Sequence, residues 1–265
     1  MNPLDHLDPR YSTVLCDVWG VIHDGGVLFA GSRERLERWT GEGRRVVLVT
    51  NAPRPAERVE RELVAMGLPR ACFHAVTSSG EAGIRALTDP VRPVGFLGTE
   101  EDRADLEGRG VELVGSGWTE LAAAGLEEWH HRAEDYDGAM HDWLDRDVLF
   151  HCLNPDRVVV HRGERYVCPG ALADRYEAMG GRVAWYGKPH PPIYKTALEL
   201  AGNPPPDRVV MVGDSLNNDM AGAIEQGFAA VFVQSGIHAG EEIPADFGAL
   251  HGAPGWRPLM CVETL

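Results

Sequence analysis

The feature that most constrains the fold is the alternation of short apolar segments with segments that have a helical pattern. TVLCDV, RRVVLVTN and RVVMVGDS are rich in β-branched residues, and each is short enough to be one strand. The stretches between them repeat apolar residues three or four positions apart, as helices do. Strands that are apolar on both faces are typical of a parallel sheet covered by helices on both sides. The sequence therefore predicts an α/β fold.

The alternation changes character after residue 89 and resumes near residue 183, at RVAWYGKP. We expect a core built from residues 1–89 and 183–265, and a smaller inserted α/β domain of residues 90–182. Within the insertion, the sequence favours a strand at VGFLGT, a charged helical stretch at EEDRADLEGRG and, after VELVGSG, a helical and acidic middle. The last 25 or so residues are interrupted by Pro and Gly, so we expect them to wrap the surface of the core.

Composition narrows the classes of function. The chain has 265 residues and a formal net charge of −15, which argues against a nucleic-acid partner because phosphates would be repelled over most of the surface. No apolar run approaches the roughly 20 residues that span a bilayer, so no membrane partner is expected. The N-terminus lacks the features of a signal peptide, and no pair of the five cysteines forms a CxxC motif. These observations favour a cytoplasmic protein with reduced thiols.

Side chains suited to phosphate chemistry follow the predicted core strands. They are Asp17, Thr50 with Asn51, Lys188, and Asp214 with Asp219. Because ligands bind at the carboxyl ends of strands in open parallel sheets, we expect these side chains to converge there. Carboxylates suit Mg²⁺, and a lysine and a hydroxyl suit a phosphoryl group. The pattern predicts a Mg²⁺-dependent phosphoryl-transfer site, with Asp17 as nucleophile and Lys188 as its counter-charge.

Four segments in this order resemble the motifs of the haloacid dehalogenase (HAD) superfamily. They are CDVWGV, LVTNAPRP, GKPHPPIY and VVMVGDSLNNDMAGAIEQG. The place of the insertion, together with LNPD and CPGALA, resembles the C2-capped branch that includes NagD-like and pyridoxal-phosphate-phosphatase-like proteins. The resemblance implies a Rossmann-like core, a C2-type cap and Mg²⁺-dependent hydrolysis of small phosphate monoesters. C2-capped relatives often pair through their caps, which makes a homodimer one expected arrangement.

The resemblance also assigns roles by position. Asp17 matches the nucleophile, Thr50 the phosphate-binding hydroxyl, Lys188 the lysine of the third motif, and Asp214 and Asp219 the acidic fourth motif. Trp19 matches the position whose backbone carbonyl binds Mg²⁺, a role that does not depend on the side chain.

Trp19 is also where the sequence departs from the family pattern. Typical members have an aspartate here that transfers protons as general acid and base, and an indole N–H cannot do this. Loss of such a group typically costs about 10²–10⁴-fold in rate. His23, Asp24 or a cap residue is a candidate replacement.

Several interpretations remain open at this stage. The chain is a slow phosphatase or one for good leaving groups, a phosphometabolite-binding or regulatory relative, or a catalyst of another HAD reaction such as phosphonate cleavage. A receiver domain is disfavoured because such domains are about half this length. The substrate stays open among sugar phosphates, pyridoxal phosphate, nucleoside monophosphates and glycerol or glycolate phosphates.

Three further residues have a functional and a purely structural interpretation. Asn154 and Asp156 of LNPD could link the cap to the core function, although an Asn-Pro-Asp turn explains them nearly as well. His190 could face the pocket, although the prolines after it predict that it simply precedes a helix.

Overall fold

The computed structural model describes residues 2–127, 132–161, 164–234 and 243–265. Its α-helices are α1 Ser32–Gly41, α2 Ala56–Ala65, α3 Ser79–Thr88, α4 Glu100–Gly108, α5 Asp137–Asp145, α6 Pro169–Ala178, α7 Pro191–Leu200, α8 Ala221–Gln226 and α9 Phe247–Leu250. Its strands are β1 Thr13–Cys16, β2 Arg45–Thr50, β3 Ala75–Ser78, β4 Gly95–Leu97, β5 Glu120–Ala123, β6 Leu149–Cys152, β7 Val158–His161, β8 Glu164–Val167, β9 Arg182–Trp185, β10 Val209–Gly213, β11 Ala229–Val233 and β12 Met260–Val262.

The larger sheet has six strands in the order β12-β11-β10-β1-β2-β3. The pairs β1–β10, β1–β2, β10–β11 and β11–β12 are all parallel. The two central strands β1 and β10 are buried along their whole length, as expected for a sheet with both faces covered. One of its faces packs into an apolar core with α7 and α8, which includes Leu15, Val47, Tyr194, Met211 and Phe232. The predicted α/β fold with a parallel central sheet is confirmed.

A second sheet has four parallel strands in the order β4-β5-β6-β9. One core against this sheet is aromatic and contains Trp143, Phe150 and Tyr176, whose ring centroids lie 6.0–6.1 Å apart. The strands β7 and β8 pair antiparallel as a separate hairpin. The inserted segment therefore builds an apolar interior of its own.

The chain divides into two compact units. Unit 1 contains residues 1–50, 60–77 and 188–265, and unit 2 contains residues 51–59 and 78–187. The domain limits expected from the sequence, with an insertion of residues 90–182, stay a prediction. None of the helices in the described part of the chain is long and apolar enough to cross a membrane.

Two local expectations are wrong, because pairing between distant strands decided the outcome. RVAWYG was expected to resume the core, yet β9 pairs with β6 in the four-stranded sheet. ELAA lies in the middle of the insertion, which was expected to be helical, yet it forms β5 and pairs with β4 and β6. The C-terminal segment, which was expected to wrap the surface, also adds β12 as an edge strand beside β11.

Candidate active site

Asp17 lies directly after β1, one of the two central strands. Its N–H donates to the carbonyl of Val212 at 2.8 Å, which continues the pairing of β1 with β10 past the end of the strand. The N–H of Val18 donates to Asp17 Oδ1 at 2.7 Å. Only 7% of Asp17 is exposed. The first bond therefore places the backbone of Asp17 at the carboxyl end of the sheet, and the second orients its carboxylate.

Lys188 contacts two carboxylates. Its Nζ lies 2.5 Å from Asp17 Oδ1 and forms an ion pair with Asp219 Oδ1 at 2.9 Å. Only 2% of the lysine is exposed, and burial by itself would lower its pKa. The two carboxylates outweigh burial and raise the pKa of Lys188 overall. The lysine is therefore charged near neutral pH, and it joins Asp17 to Asp219.

Asp219 lies on a π-helix, Leu216–Met220, between β10 and α8. The N–H groups of Asp219 and Met220 both donate to the Ser215 carbonyl, which makes the wide turn. In return, Asp219 Oδ2 accepts from the Ser215 N–H at 3.1 Å. A β-carbon at Gly213 would overlap the Asp219 carboxylate, so glycine is required at the end of β10. The wide turn and the missing β-carbon bring Asp219 back to the tip of the strand.

Asp214 follows β10 and faces the loop after β1. Gly20 has φ of +86°, and a β-carbon on it would overlap the Asp214 carboxylate. Among the residues that the structure describes, the buried Asp214 Oδ2 has no hydrogen-bond partner. Burial, and then the charges of Asp17 and Asp219, raise the pKa of Asp214. An ionised Asp214 therefore needs a positive charge at Oδ2, and none of the described residues donates a hydrogen bond to that oxygen.

The three carboxylates fit a divalent cation. Each of Asp17, Asp214 and Asp219 offers an oxygen, and these oxygens lie within 4.8 Å of one another. The pKa of Asp219 is raised by burial and by Asp17, like that of Asp214. A hard cation such as Mg²⁺ takes carboxylate oxygens and would relieve this repulsion. The orphaned oxygen of Asp214 and the oxygen-only donor set both match such an ion.

Trp19 lies on a tight loop that its neighbours close. The Gly20 N–H donates to the His23 carbonyl at 2.9 Å, and the Ile22 N–H donates to the Val18 carbonyl at 2.8 Å. Trp19 and His23 also form a single parallel bridge. Trp19 is half-buried. The loop thus fixes the backbone on both sides of Trp19.

His23 and Asp24 make local bonds within the same loop. His23 Nδ1 accepts from the Gly25 N–H at 2.8 Å, and burial lowers the pKa of this imidazole. Asp24 Oδ1 accepts from the Gly26 and Val27 N–H groups, both at 3.0 Å. These two bonds lower the pKa of Asp24, so its carboxylate is ionised near neutral pH. Both side chains therefore shape the loop, and a role in proton transfer stays a prediction.

Thr50 and Asn51 follow each other at the end of β2. Thr50 is its last residue and is 6% exposed, whereas Asn51 is 4% exposed and belongs to unit 2. Within that unit, Asn51 Nδ2 donates to Asp156 Oδ1 at 2.8 Å. Asn154 Oδ1 accepts from the Asp156 N–H at 3.1 Å, which is the turn predicted for LNPD. The half-buried His190 immediately precedes α7, in unit 1.

The structure brings together part of the predicted set. Asp17, Lys188, Asp214 and Asp219 meet in unit 1, whereas Asn51, Asn154 and Asp156 lie in unit 2. Sequence reasoning missed the contributions of Gly20, Gly213 and the Ser215 N–H. Glycines beside the aspartates in DVWGV and VGDS were the available signal for the first two, and nothing in the sequence indicated the π-helix.

Comparison with known proteins points to one family over most of the chain. The family described as haloacid dehalogenase-like hydrolase matches residues 14–112, and a second HAD-like hydrolase family matches residues 185–255. Chronophin from Bos taurus is 28% identical over 97% of this chain and 91% of its own length. The D-glycerol 3-phosphate phosphatase of Mycobacterium tuberculosis is 24% identical over 97% of this chain and 70% of its own length. The crystal structure of a haloacid dehalogenase-like hydrolase from Brucella suis 1330 is 30% identical, with a TM-score of 0.86 over 100% of this chain and 99% of that one.

Proposed function

The chain belongs to the haloacid dehalogenase-like hydrolase family, and on that premise we propose that it is a Mg²⁺-dependent phosphatase for a small phosphorylated metabolite. The observation that carries the proposal is the contact of the buried Lys188 with Asp17 and Asp219, beside the third carboxylate of Asp214. The name of the mycobacterial relative, a phosphatase for glycerol 3-phosphate, supports a small phosphate monoester as substrate.

Asp17 is the proposed nucleophile. Its bonds to the Val18 N–H and to Lys188 both involve Oδ1, so the plane of the carboxylate is held before the substrate arrives. A carboxylate oxygen attacks phosphorus, the bond from phosphorus to the ester oxygen breaks, and an aspartyl-phosphate forms on Asp17. The alcohol leaves as its alkoxide and takes a proton from solvent. Water then attacks that phosphorus, which releases inorganic phosphate and restores the carboxylate.

The remaining residues of the set bind the phosphoryl group or the metal ion. Lys188 offsets charge on Asp17 and on the transferred phosphoryl group, and the Thr50 hydroxyl and the Asn51 amide bind phosphoryl oxygens. Asp17, Asp214, Asp219 and the Trp19 carbonyl would hold Mg²⁺. When bound, the ion lowers the repulsion between these carboxylates and the phosphate dianion. Without it, the charge of three buried carboxylates would exceed that of the single lysine, and the site would repel a phosphate dianion.

Trp19 limits which substrates can react quickly. The indole cannot donate a proton to the leaving oxygen or accept one from water. Esters whose alcohol is acidic, such as aryl phosphates, need less protonation as they leave. We therefore expect turnover to depend strongly on the pKa of the leaving group.

A screen with p-nitrophenyl phosphate and phosphorylated metabolites, with and without Mg²⁺, tests the proposal. We expect Mg²⁺-dependent release of inorganic phosphate by the native protein and none by Asp17→Asn, which removes the nucleophilic charge at nearly constant volume. Native turnover no higher than that of Asp17→Asn, across all the substrates, would refute it.

Trp19 also favours one second candidate, a phosphometabolite-binding relative with weak or no turnover. In that case a phosphorylated ligand raises the melting temperature in Mg²⁺ and is recovered intact. Rapid hydrolysis of the same ligand rules out this alternative. A homodimer through the inserted domain stays a prediction, which light scattering tests directly.

A further inference from the structure

We propose that Asp156 is a positioning residue that presets the amide of Asn51 for binding a phosphoryl group. The inference rests on the proposed function, since it assigns a role in phosphate binding to the bond between Asn51 and Asp156 inside unit 2. The side chains of Asn51 and Asp156 are 105 positions apart in sequence and are joined at 2.8 Å. Asn51 follows Thr50, the proposed phosphate-binding hydroxyl, so its amide orientation matters for the same ligand.

Two bonds hold the backbone of Asp156. Its N–H donates to Asn154 Oδ1 at 3.1 Å, and its carbonyl accepts from the Gly170 N–H, also at 3.1 Å, at the start of α6. A β-carbon at Gly170 would overlap the backbone of Pro155 and Asp156, so this approach requires glycine. The LNPD turn is thus bonded to the first turn of α6. The backbone from which the Asp156 carboxylate extends is therefore held in place.

The amide of Asn51 is held on its other side as well. A β-carbon at Gly187 would lie 2.5 Å from Asn51 Oδ1 and 2.6 Å from Pro155 Cγ. The Asn51 amide therefore lies against the Gly187 backbone, one residue before Lys188, while its Nδ2 donates to Asp156. An ionised carboxylate only accepts hydrogen bonds, so this contact selects one of the two amide orientations. With 4% exposure, the side chain has little room to adopt the other.

This arrangement preorganises a ligand group. A bond from an amide to a carboxylate is charge-assisted and stronger than a neutral one, so it lowers the entropy that Asn51 would lose on binding a ligand. If Asn51 binds the phosphoryl group equally in substrate and transition state, loss of its orientation raises KM and leaves kcat nearly unchanged. A merely structural role for Asp156 would change stability without this selective effect.

The test is a mutant cycle of Asn51→Ala, Asp156→Ala and the double variant. The first readout is the Kd of inorganic phosphate in Mg²⁺ by calorimetry, and the second is KM and kcat for p-nitrophenyl phosphate. We expect each single variant to weaken phosphate binding about tenfold and the double variant to be no worse than Asn51→Ala. Asp156→Asn keeps an acceptor at the same place, so it should restore most of the affinity. Asp174→Ala is the matched control, because it removes an exposed carboxylate of the same unit that pairs with Arg157.

The inference is overturned if the fold-changes in phosphate Kd of the two single variants multiply in the double variant. It is also overturned if Asp156→Ala is folded and binds phosphate as tightly as the native protein. If Asp156→Ala is too unstable to assay, Asp156→Glu replaces it, because the longer side chain keeps the charge but displaces the acceptor. The two proposals fail separately. A native protein without turnover contradicts the phosphatase, while the phosphate Kd still tests Asp156. A native protein with turnover but a multiplicative cycle contradicts only the role of Asp156.

Discussion

Gly20 leaves the space that the Asp214 carboxylate occupies: a β-carbon at residue 20 would overlap that carboxylate. The glycine also has φ of +86°, where other residues are strained. The place of Asp214, a proposed metal ligand almost 200 positions later in the chain, thus depends on a glycine directly after Trp19.

Gly20→Ala should displace Asp214 and impair the cation site. We expect Mg²⁺ affinity, measured by calorimetry, to fall at least about tenfold, since one of three carboxylate ligands loses its place. Gly43→Ala is the matched control: Gly43 has φ of +82°, and among the described residues nothing beyond its two chain neighbours lies within 4 Å of a β-carbon built there. The control should lose about 1–2 kcal/mol of stability from backbone strain and keep its Mg²⁺ affinity. Equal Mg²⁺ affinity in both variants would contradict this account of Gly20.

Without Mg²⁺, the acidic cluster should make the protein less stable as pH rises. Burial and mutual repulsion raise the pKa of Asp214 and Asp219 above the ordinary value of 3.8. The folded state then binds more protons than the unfolded chain above that value, so this contribution to stability is lost as pH rises through the raised pKa values. Thermal unfolding in EDTA between pH 6 and 9 measures it, with Asp214→Asn for comparison.

The Asp214→Asn variant should show a shallower fall with pH than the native protein. Added Mg²⁺ should raise the melting temperature of the native protein most at the alkaline end, because the ion competes with protons for the carboxylates. A Mg²⁺ effect that is independent of pH would argue that these aspartates do not hold the ion.

Trp19→Asp should restore the missing proton transfer. The expected gain in kcat for substrates with poor leaving groups is up to about 10²–10⁴-fold, with a smaller gain for p-nitrophenyl phosphate. Trp19→Asn is the control, since it has nearly the same size as Asp but no titratable group. If Asp and Asn at this position give equal rates, the account of Trp19 as a lost general acid and base is wrong.

His23→Asn separates a structural role from proton transfer. His23 Nδ1 accepts from the Gly25 N–H, and Asn Oδ1 can take that place, whereas Gln would present its oxygen further out. If His23 only shapes the loop, His23→Asn keeps kcat within about twofold and leaves the pH–rate profile unchanged. A large fall in kcat, together with loss of a titration near neutral pH, would instead identify His23 as a proton carrier.

Local patterns in the sequence predicted much of this protein. Runs such as VVLV and VVMV, flanked by amphipathic stretches, indicate buried parallel strands because only a doubly covered sheet buries both of their faces. The position of Asp17 and Asp214 after such runs was enough to predict a shared edge. The structure brings these two aspartates together with Asp219 and Lys188.

Contacts between distant segments decided the rest. The sequences RVAW and ELAA do not indicate which sheet each strand joins. Strand pairing depends on which apolar faces must be covered once the helices have packed. Lys188 consequently follows a strand of the four-stranded sheet, and its ion pairs with Asp17 and Asp219 come from the path of the chain after that strand. The close approach of Gly20 to Asp214 and the bond from Asn51 to Asp156 are likewise tertiary, since each needs a backbone that other contacts have already placed. The sequence by itself determined which chemical groups are present and that the sheet is parallel, whereas the tertiary structure decided which of those groups meet.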